Sequence, residues 1–146
     1  MKVCDLLKSK GQKVITIQPQ ESIFIAMKRL LEHKIGALIV CDQDQKMVGI
    51  ISERDILQAV YHDRNALEQK HVHDVMTTNV NVIVAIPDDE VDYVMGIMTQ
   101  NRIRHLPIVT KDGIVGVVSI GDIVKFQLQE VQVKNRYLEE YMYSQL

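Results

Sequence analysis

The sequence predicts an α+β fold in which two pseudo-symmetric β-α-β-β-α repeats pack through their sheets, followed by a long C-terminal helix. Three observations lead there. The first is internal self-similarity, the feature to seek before any local reading. A shift of 68 residues superposes Val14, Ile15, Pro19, Met27, Ile35, Leu38 and Asp44 on Val82, Ile83, Pro87, Met95, Ile103, Leu106 and Asp112. After a one-residue deletion at Lys46 the shift is 67, and Val48, Gly49, Ser52, Asp55 and Ile56 fall on Val115, Gly116, Ser119, Asp122 and Ile123. The second is that both copies run through the same order of strand and helix signals. The third is that residues 122–146 contain neither Gly nor Pro, so one helix can run through them.

The elements follow in order. Short leaders match, Val3-Cys4-Asp5-Leu6-Leu7 before the first copy and Val72-His73-Asp74-Val75-Met76 before the second. The β-branched run 14–17 ends near Pro19, and the run 80–86 ends at Pro87; both read as strands, because proline fixes φ and lacks an N–H. Ile23, Ala26, Met27, Leu30 and Leu31 form the i, i+3, i+4 stripe of an amphipathic helix starting near Glu21 or Ser22, and Val91, Val94, Met95 and Met98 repeat it. Two apolar runs, 37–41 and 47–51, flank a polar turn and read as a buried hairpin; residues 106–118 repeat it around 110–113. A closing helix follows Ser52 and Ser119. The expected divisions are 1–62 for repeat one with its leader, 63–71 for an ordered polar linker, 72–128 for repeat two and 129–146 for the helical extension. One unit alone leaves a sheet face uncovered, so the two copies must pack together.

Composition narrows the function. The 146 residues are 47% hydrophobic and 25% charged, with 17 Lys+Arg against 19 Asp+Glu and a net charge of -2. This is an ordinary globular balance with no basic field for nucleic acid or anionic lipid. The two cysteines, Cys4 and Cys41, have no CxxC context and read as small core hydrophobes, so neither a disulfide framework nor a zinc site is expected. No secretory leader or membrane span is visible, and the expected location is the cytoplasm.

The segments Gly49-Ile50-Ile51-Ser52-Glu53-Arg54-Asp55 and Gly116-Val117-Val118-Ser119-Ile120-Gly121-Asp122 both fit G-h-h-S-x-x-D at a strand-to-helix junction. Local physics allows two readings. Ser and Asp can cap the first turn by accepting from its free N–H groups. Alternatively, those N–H groups and the Ser hydroxyl hold a phosphate while the Asp carboxylate accepts both hydroxyls of a ribose.

Together with Ile103-Arg104-His105-Leu106-Pro107-Ile108-Val109 and its counterpart Ile35-Gly36-Ala37-Leu38-Ile39-Val40, these segments resemble tandem CBS domains, the pair called a Bateman module, from about Val3 to Gln127. The resemblance implies a non-enzymatic regulatory module that binds adenosine-containing ligands such as AMP, ADP, ATP, NAD or S-adenosylmethionine in two clefts. Carried onto this chain, it assigns Asp55 with Ser52 to one cleft and Asp122 with Ser119 to the other. Backbone around Val14-Ile15 and Val82-Ile83 is expected to read adenine, with Pro107 as an apolar neighbour, and Arg54, Arg104 and His105 are expected to approach phosphate. The copies differ, since Gly36 and Ala37 stand opposite Arg104 and His105, and Gly121 stands opposite Arg54. The clefts are therefore expected to be inequivalent. A solvent-facing strand end is the other reading of Arg104 and His105.

No GxSxG, HExxH, P-loop or paired-carboxylate pattern occurs. His71-x-His73 lacks a recognisable third ligand, so no metal site is expected; His33 and His62 have no evident partner. In the C-terminal helix Val124, Leu128, Val131, Asn135, Leu138, Met142 and Gln145 form a heptad seam that packs either on the chain's own body or on a second subunit. The resemblance implies a homodimer through the CBS faces and this helix, no obligatory cofactor, and a regulated protein elsewhere. The competing hypothesis is a structural dimeric interaction module whose motif residues are only helix caps.

Overall fold

The computed structural model describes residues 1–11 and 13–145. In chain order the elements are α1 (Val3–Lys10), β1 (Thr16–Ile17), α2 (Ile23–His33), β2 (Ala37–Cys41), β3 (Met47–Ser52), α3 (Glu53–His62), α4 (Ala66–Gln69), α5 (Val72–Val75), β4 (Thr77–Thr78), α6 (Val91–Asn101), β5 (His105–Thr110), β6 (Gly113–Ser119) and α7 (Ile120–Ser144). A four-stranded sheet runs in the order β1-β2-β3-β4, and β5 pairs with β6 in a two-stranded one. The expected mixed fold with a long terminal helix is therefore present; the last residue of the expected extension, Leu146, lies outside the described residues.

The repeat is visible in detail. β2 pairs antiparallel with β3 and β5 with β6, each hairpin carrying a register irregularity near its turn end. Both stripe helices end in a left-handed residue, Lys34 at φ 54° and Arg102 at φ 55°. The next amide then bonds back, Ile35 to the Leu30 carbonyl at 3.1 Å and Ile103 to that of Met98 at 3.0 Å. This closure satisfies carbonyls at the helix end and turns the chain toward its hairpin.

The two strands read at the starts of the repeats are shorter than expected. Only Thr16 and Ile17 of the first join the sheet, parallel to β2. The second, 80–86, is not a strand: Asn79–Asn81 form a 3-10 turn, and only Ala85 pairs, in an isolated parallel bridge to Ile108. The physical reason lies in the side chains. Val80 is 93% exposed and Val84 and Ile86 face solvent, so this β-branched run has only Ala85 fully buried.

Two hydrophobic cores result, and each contains a leader from the other copy. Val3, Leu6 and Leu7 of α1 join the core built by Val91, Val94, Met98, Leu106, Ile108, Val118 and Ile123 of repeat two. Ala66 and Val72 join the core of Ile23, Leu30, Leu38, Val40 and Ile51 in repeat one. Backbone bonds lock the exchange: the Val3 and Cys4 amides donate to Asp89 and Pro87 carbonyls, while those of Val72 and His73 donate to Glu21 and Pro19. The motif glycines lie where the exchanged segments pass closest. A Cβ on Gly116 would lie 2.7 Å from Leu7 Cδ2, and one on Gly49 would collide with the Thr77 carbonyl.

Leu7 is 1% exposed, so Leu7→Ala should cost about 2–5 kcal/mol of stability, read as a shift in urea unfolding. Hydrogen exchange should loosen first in α6, β5 and β6, although Leu7 precedes repeat one. Loosening confined to β1, β2 and β3 would contradict the exchanged packing.

Candidate ligand clefts at two helix N-termini

Each S-x-x-D segment forms a reciprocal cap. The Ser52 amide donates to Asp55 Oδ2 at 2.9 Å, and Ser52 Oγ accepts from the Asp55 amide at 3.3 Å while donating to the carboxylate at 3.0 Å. Ser119 and Asp122 repeat the amide exchange at 2.9 and 3.1 Å. The first helical amide is tied to the loop before the hairpin: Glu53 donates to the Gly36 carbonyl at 2.9 Å and Ile120 to that of Arg104 at 3.0 Å. In both copies the capping reading is thus met in full.

Beyond the caps the copies diverge. At the start of α7 an open cleft of about 370 Å³ is lined by Arg104, His105, Ser119, Ile120 and Gly121. The structure therefore brings together the Ser119, Arg104 and His105 singled out in the sequence, with Asp122 in the first turn below Ser119. His105 crosses to the other repeat, so that a Cβ on Gly36 would lie 2.6 Å from its imidazole and 3.5 Å from Glu53 Oε1. Arg54 is exposed on α3 beside the half-buried Ser52 and Asp55. Ile15 and Ile83 pack on the edges of cores one and two, and Val14 and Val82 are half-buried beside them. Pro107 is buried in β5, and its carbonyl accepts the Ala85 amide at 3.0 Å.

The sequence reading missed Lys10. Its ammonium, at the end of the exchanged helix α1, bonds both the Asp122 carboxylate and the Val117 carbonyl. No local motif marks it, because it reaches this cleft from the other copy's leader. Matching the leaders places Asn79 opposite Lys10. Asp55 accordingly makes no ion pair among the described residues. Burial alone would raise the Asp122 carboxyl; the bonds from Lys10 and the Ser119 amide outweigh it and hold the group below the usual carboxylate range.

A second hollow of about 240 Å³ lies at the opposite end of β1 and β2, where Arg29 and Glu21 line it beside Asp42 and Gln45. Arg29 and Glu21 already satisfy each other there, since Arg29 donates to both Glu21 oxygens at 3.1 and 2.8 Å and to the Thr16 carbonyl at 3.0 Å. Of the cysteines, Cys41 is buried, which pushes its thiol up, and Cys4 is half-buried.

Burial lowers the His105 imidazole below the ordinary histidine value; Glu53 and Asp122 oppose this, and Lys10 and Arg104 reinforce it. A depressed value means that the unfolded chain binds the proton more readily. Stability contributed by the neutral ring is present above about pH 6.5 and is lost as pH falls through the folded value. Urea midpoints measured between about pH 7.5 and 5.5 should fall less for His105→Gln than for the parent. An unchanged slope would show that His105 carries none of it.

The comparisons with known proteins agree with this architecture. The family model described as "CBS domain" matches residues 5–62 and 72–129. The chain is similar to the CBS-domain containing protein ATU1752 from Agrobacterium tumefaciens, with 41% identity and TM-score 0.81 over 85% of this chain and 91% of that one. It is also similar to the CBS domain pair of protein MJ0100 in complex with 5′-methylthioadenosine and S-adenosyl-L-methionine, with 32% identity and TM-score 0.77 over 89% and 98%. CBS domain protein PAE2072 from Pyrobaculum aerophilum, complexed with AMP, matches at 26% identity and TM-score 0.72 over 84% and 89%. The chain belongs to the CBS domain family and carries two copies in tandem.

Proposed function

We propose that this chain is a regulatory module that binds adenosine-containing ligands, AMP, ATP or NAD, at the N-termini of α3 and α7 and acts on a separate protein without catalysis of its own. The duplicated Ser/Asp pair carries the reading. In each pair one carboxylate oxygen and the Ser are used by the cap, while Asp55 keeps Oδ1 without a hydrogen bond among the described residues. Supporting it, relatives of the same fold hold AMP, or 5′-methylthioadenosine and S-adenosyl-L-methionine. Ser52, Arg54 and Asp55 with Val14 and Ile15 form one proposed cleft. Ser119, Asp122, Arg104 and His105 with Val82, Ile83 and Pro107 form the other.

Lys10 makes the clefts unequal. Lys10 shares Asp122 Oδ2 with the Ser119 cap and leaves Oδ1 without a hydrogen bond among the described residues, so a ribose hydroxyl would meet a carboxylate whose neighbouring ammonium is available to phosphate. The second cleft should accordingly favour charged nucleotides over adenosine, and the first should discriminate less. The alternative, a structural interaction module, is favoured by the completeness of the caps, which need no ligand.

Calorimetric titration with adenosine, AMP, ATP and NAD separates the two. Asp55→Ala and Asp122→Ala should each abolish one binding event, and Lys10→Met should reduce the preference for AMP over adenosine by about tenfold, the worth of one charge-assisted hydrogen bond. If no ligand binds, and both Asp variants only lose about 1 kcal/mol of helix-cap stability, the structural module is correct.

A second copy of the chain is the proposed partner of α7. Ile123 is buried in core two and Phe126 packs on it, but residues 131–145 are exposed throughout, leaving about 22 Å of helix beyond the body. Leu128, Val131, Leu138 and Met142 of the heptad seam are all more than half exposed. Asn135 among them is the kind of polar residue that fixes register. Sedimentation should show a dimer that Leu138→Asp shifts toward monomer with unchanged helix content; a parent that stays monomeric at high concentration would exclude it.

A further inference from the structure

The proposed ligand clefts do not involve the segment at the start of α5, where His71, His73 and Asp74 converge. One ligand atom from each lies within 4.8 Å of the others. His73 Nδ1 is 3.1 Å from Asp74 Oδ1, and His71 Nδ1 is 3.6 Å from Oδ2. The two imidazoles stack with centroids 5.3 Å apart and planes 4° from parallel. Two nitrogens are thus presented to opposite oxygens of one carboxylate. The third ligand that His71-x-His73 lacked as a sequence pattern is the next residue, brought round by the helical turn.

We propose that His71, His73 and Asp74 bind a divalent transition-metal ion of the imidazole-preferring class, such as zinc. Two imidazoles and a carboxylate are a borderline donor set that suits Zn²⁺, Ni²⁺ or Cu²⁺ better than Mg²⁺ or Ca²⁺, which take oxygen ligands. Bond lengths of about 2.1 Å on a tetrahedral ion put ligand atoms about 3.4 Å apart. From within 4.8 Å this needs only small side-chain rotations, and all three residues are exposed and free to make them. The remaining positions would be filled by water.

The backbone beneath the trio is already ordered. The Val72 amide donates to the Glu21 carbonyl at 2.8 Å, the His73 amide to that of Pro19 at 3.0 Å, and Val72 itself is fully buried. His71 also forms an antiparallel bridge with Ser22. The exchanged leader therefore holds the three residues in place, which reduces the entropy lost on binding. The His71 amide donates to Asp74 Oδ2 at 2.9 Å.

The test is titration of the full chain with Zn²⁺ alone, in a non-chelating buffer without nucleotide, followed by calorimetry and thermal unfolding. One saturable site per chain is expected, with a rise in unfolding temperature at saturation. His71→Gln and His73→Gln should each weaken it by at least about tenfold, since even indirect partners of a metal are worth about 10–100-fold. His33→Gln on α2 should leave affinity unchanged. Lowering pH from about 7.5 to 5.5 should weaken binding, because protonated imidazole is not a ligand. Absence of saturable binding, or binding that survives both the His71 and His73 changes, would overturn the proposal.

Discussion

The reciprocal exchange of leaders is the constraint on which the rest of the structure depends. Each repeat is a unit too small to bury much surface, and domains of this size are marginal alone. Repeat one supplies Val3, Leu6 and Leu7 to core two, and the segment before repeat two supplies Ala66 and Val72 to core one. Neither core is complete without a segment from outside its own copy. β4 extends the same logic to the sheet, because Thr77 and Thr78 pair with Ile50 and Gly49. The exchanged segments thereby tie the two small units together.

This exchange also separates the causes behind one short motif. In G-h-h-S-x-x-D the glycine makes room for a passing leader, Leu7 at Gly116 and Thr77 at Gly49. The serine and aspartate cap the following helix through bonds to each other's backbone. The glycine therefore answers to tertiary packing and the polar pair to local helix physics. Lys10 belongs to the same account: once α1 lies on repeat two, the last turn of that helix reaches Val117 and Asp122. The charge difference between the clefts is a by-product of how the chain closes its cores.

Period and spacing made the hairpins, the amphipathic helices, the duplication and the α7 stripe legible. Leu6 and Leu7 are buried, but the hydrophobic pattern of the leader carries no record of which core receives them. Lys10 was invisible for that reason. The run 80–86 failed differently: Val82, Ile83 and Val84 look like a strand, yet the segment only connects β4 in one sheet to Pro87 beside the other, and a single residue bridges. His73 and Asp74 belong to the leader and His71 ends the linker, so the cluster falls across the division between two segments that were read separately. The Ser/Asp pairs were legible as positions, and the reading of them as caps is now geometric; their reading as ribose and phosphate contacts rests on the proposed function.

The two closing helices show how the duplication was put to different ends. α3 stops at His62, where Asp63 turns extended and the chain must return through α4 to deliver the second leader. α7 instead runs on for 25 residues. At about 1.5 Å per residue it is a rod roughly 37 Å long, capped at its start by Ser119 and Asp122. A helix is stiff along its axis, so a small change of tilt where it meets the body becomes a larger displacement at its tip. On the proposed reading, a ligand whose phosphate draws Lys10 toward itself acts on the start of α7 and on α1 together, both of which contribute side chains to core two. Occupancy can bias the position of the distal α7 surface only as far as the ligand prefers one arrangement over the other. The exposed seam from Leu128 to Met142 is where that preference would be read by a second copy.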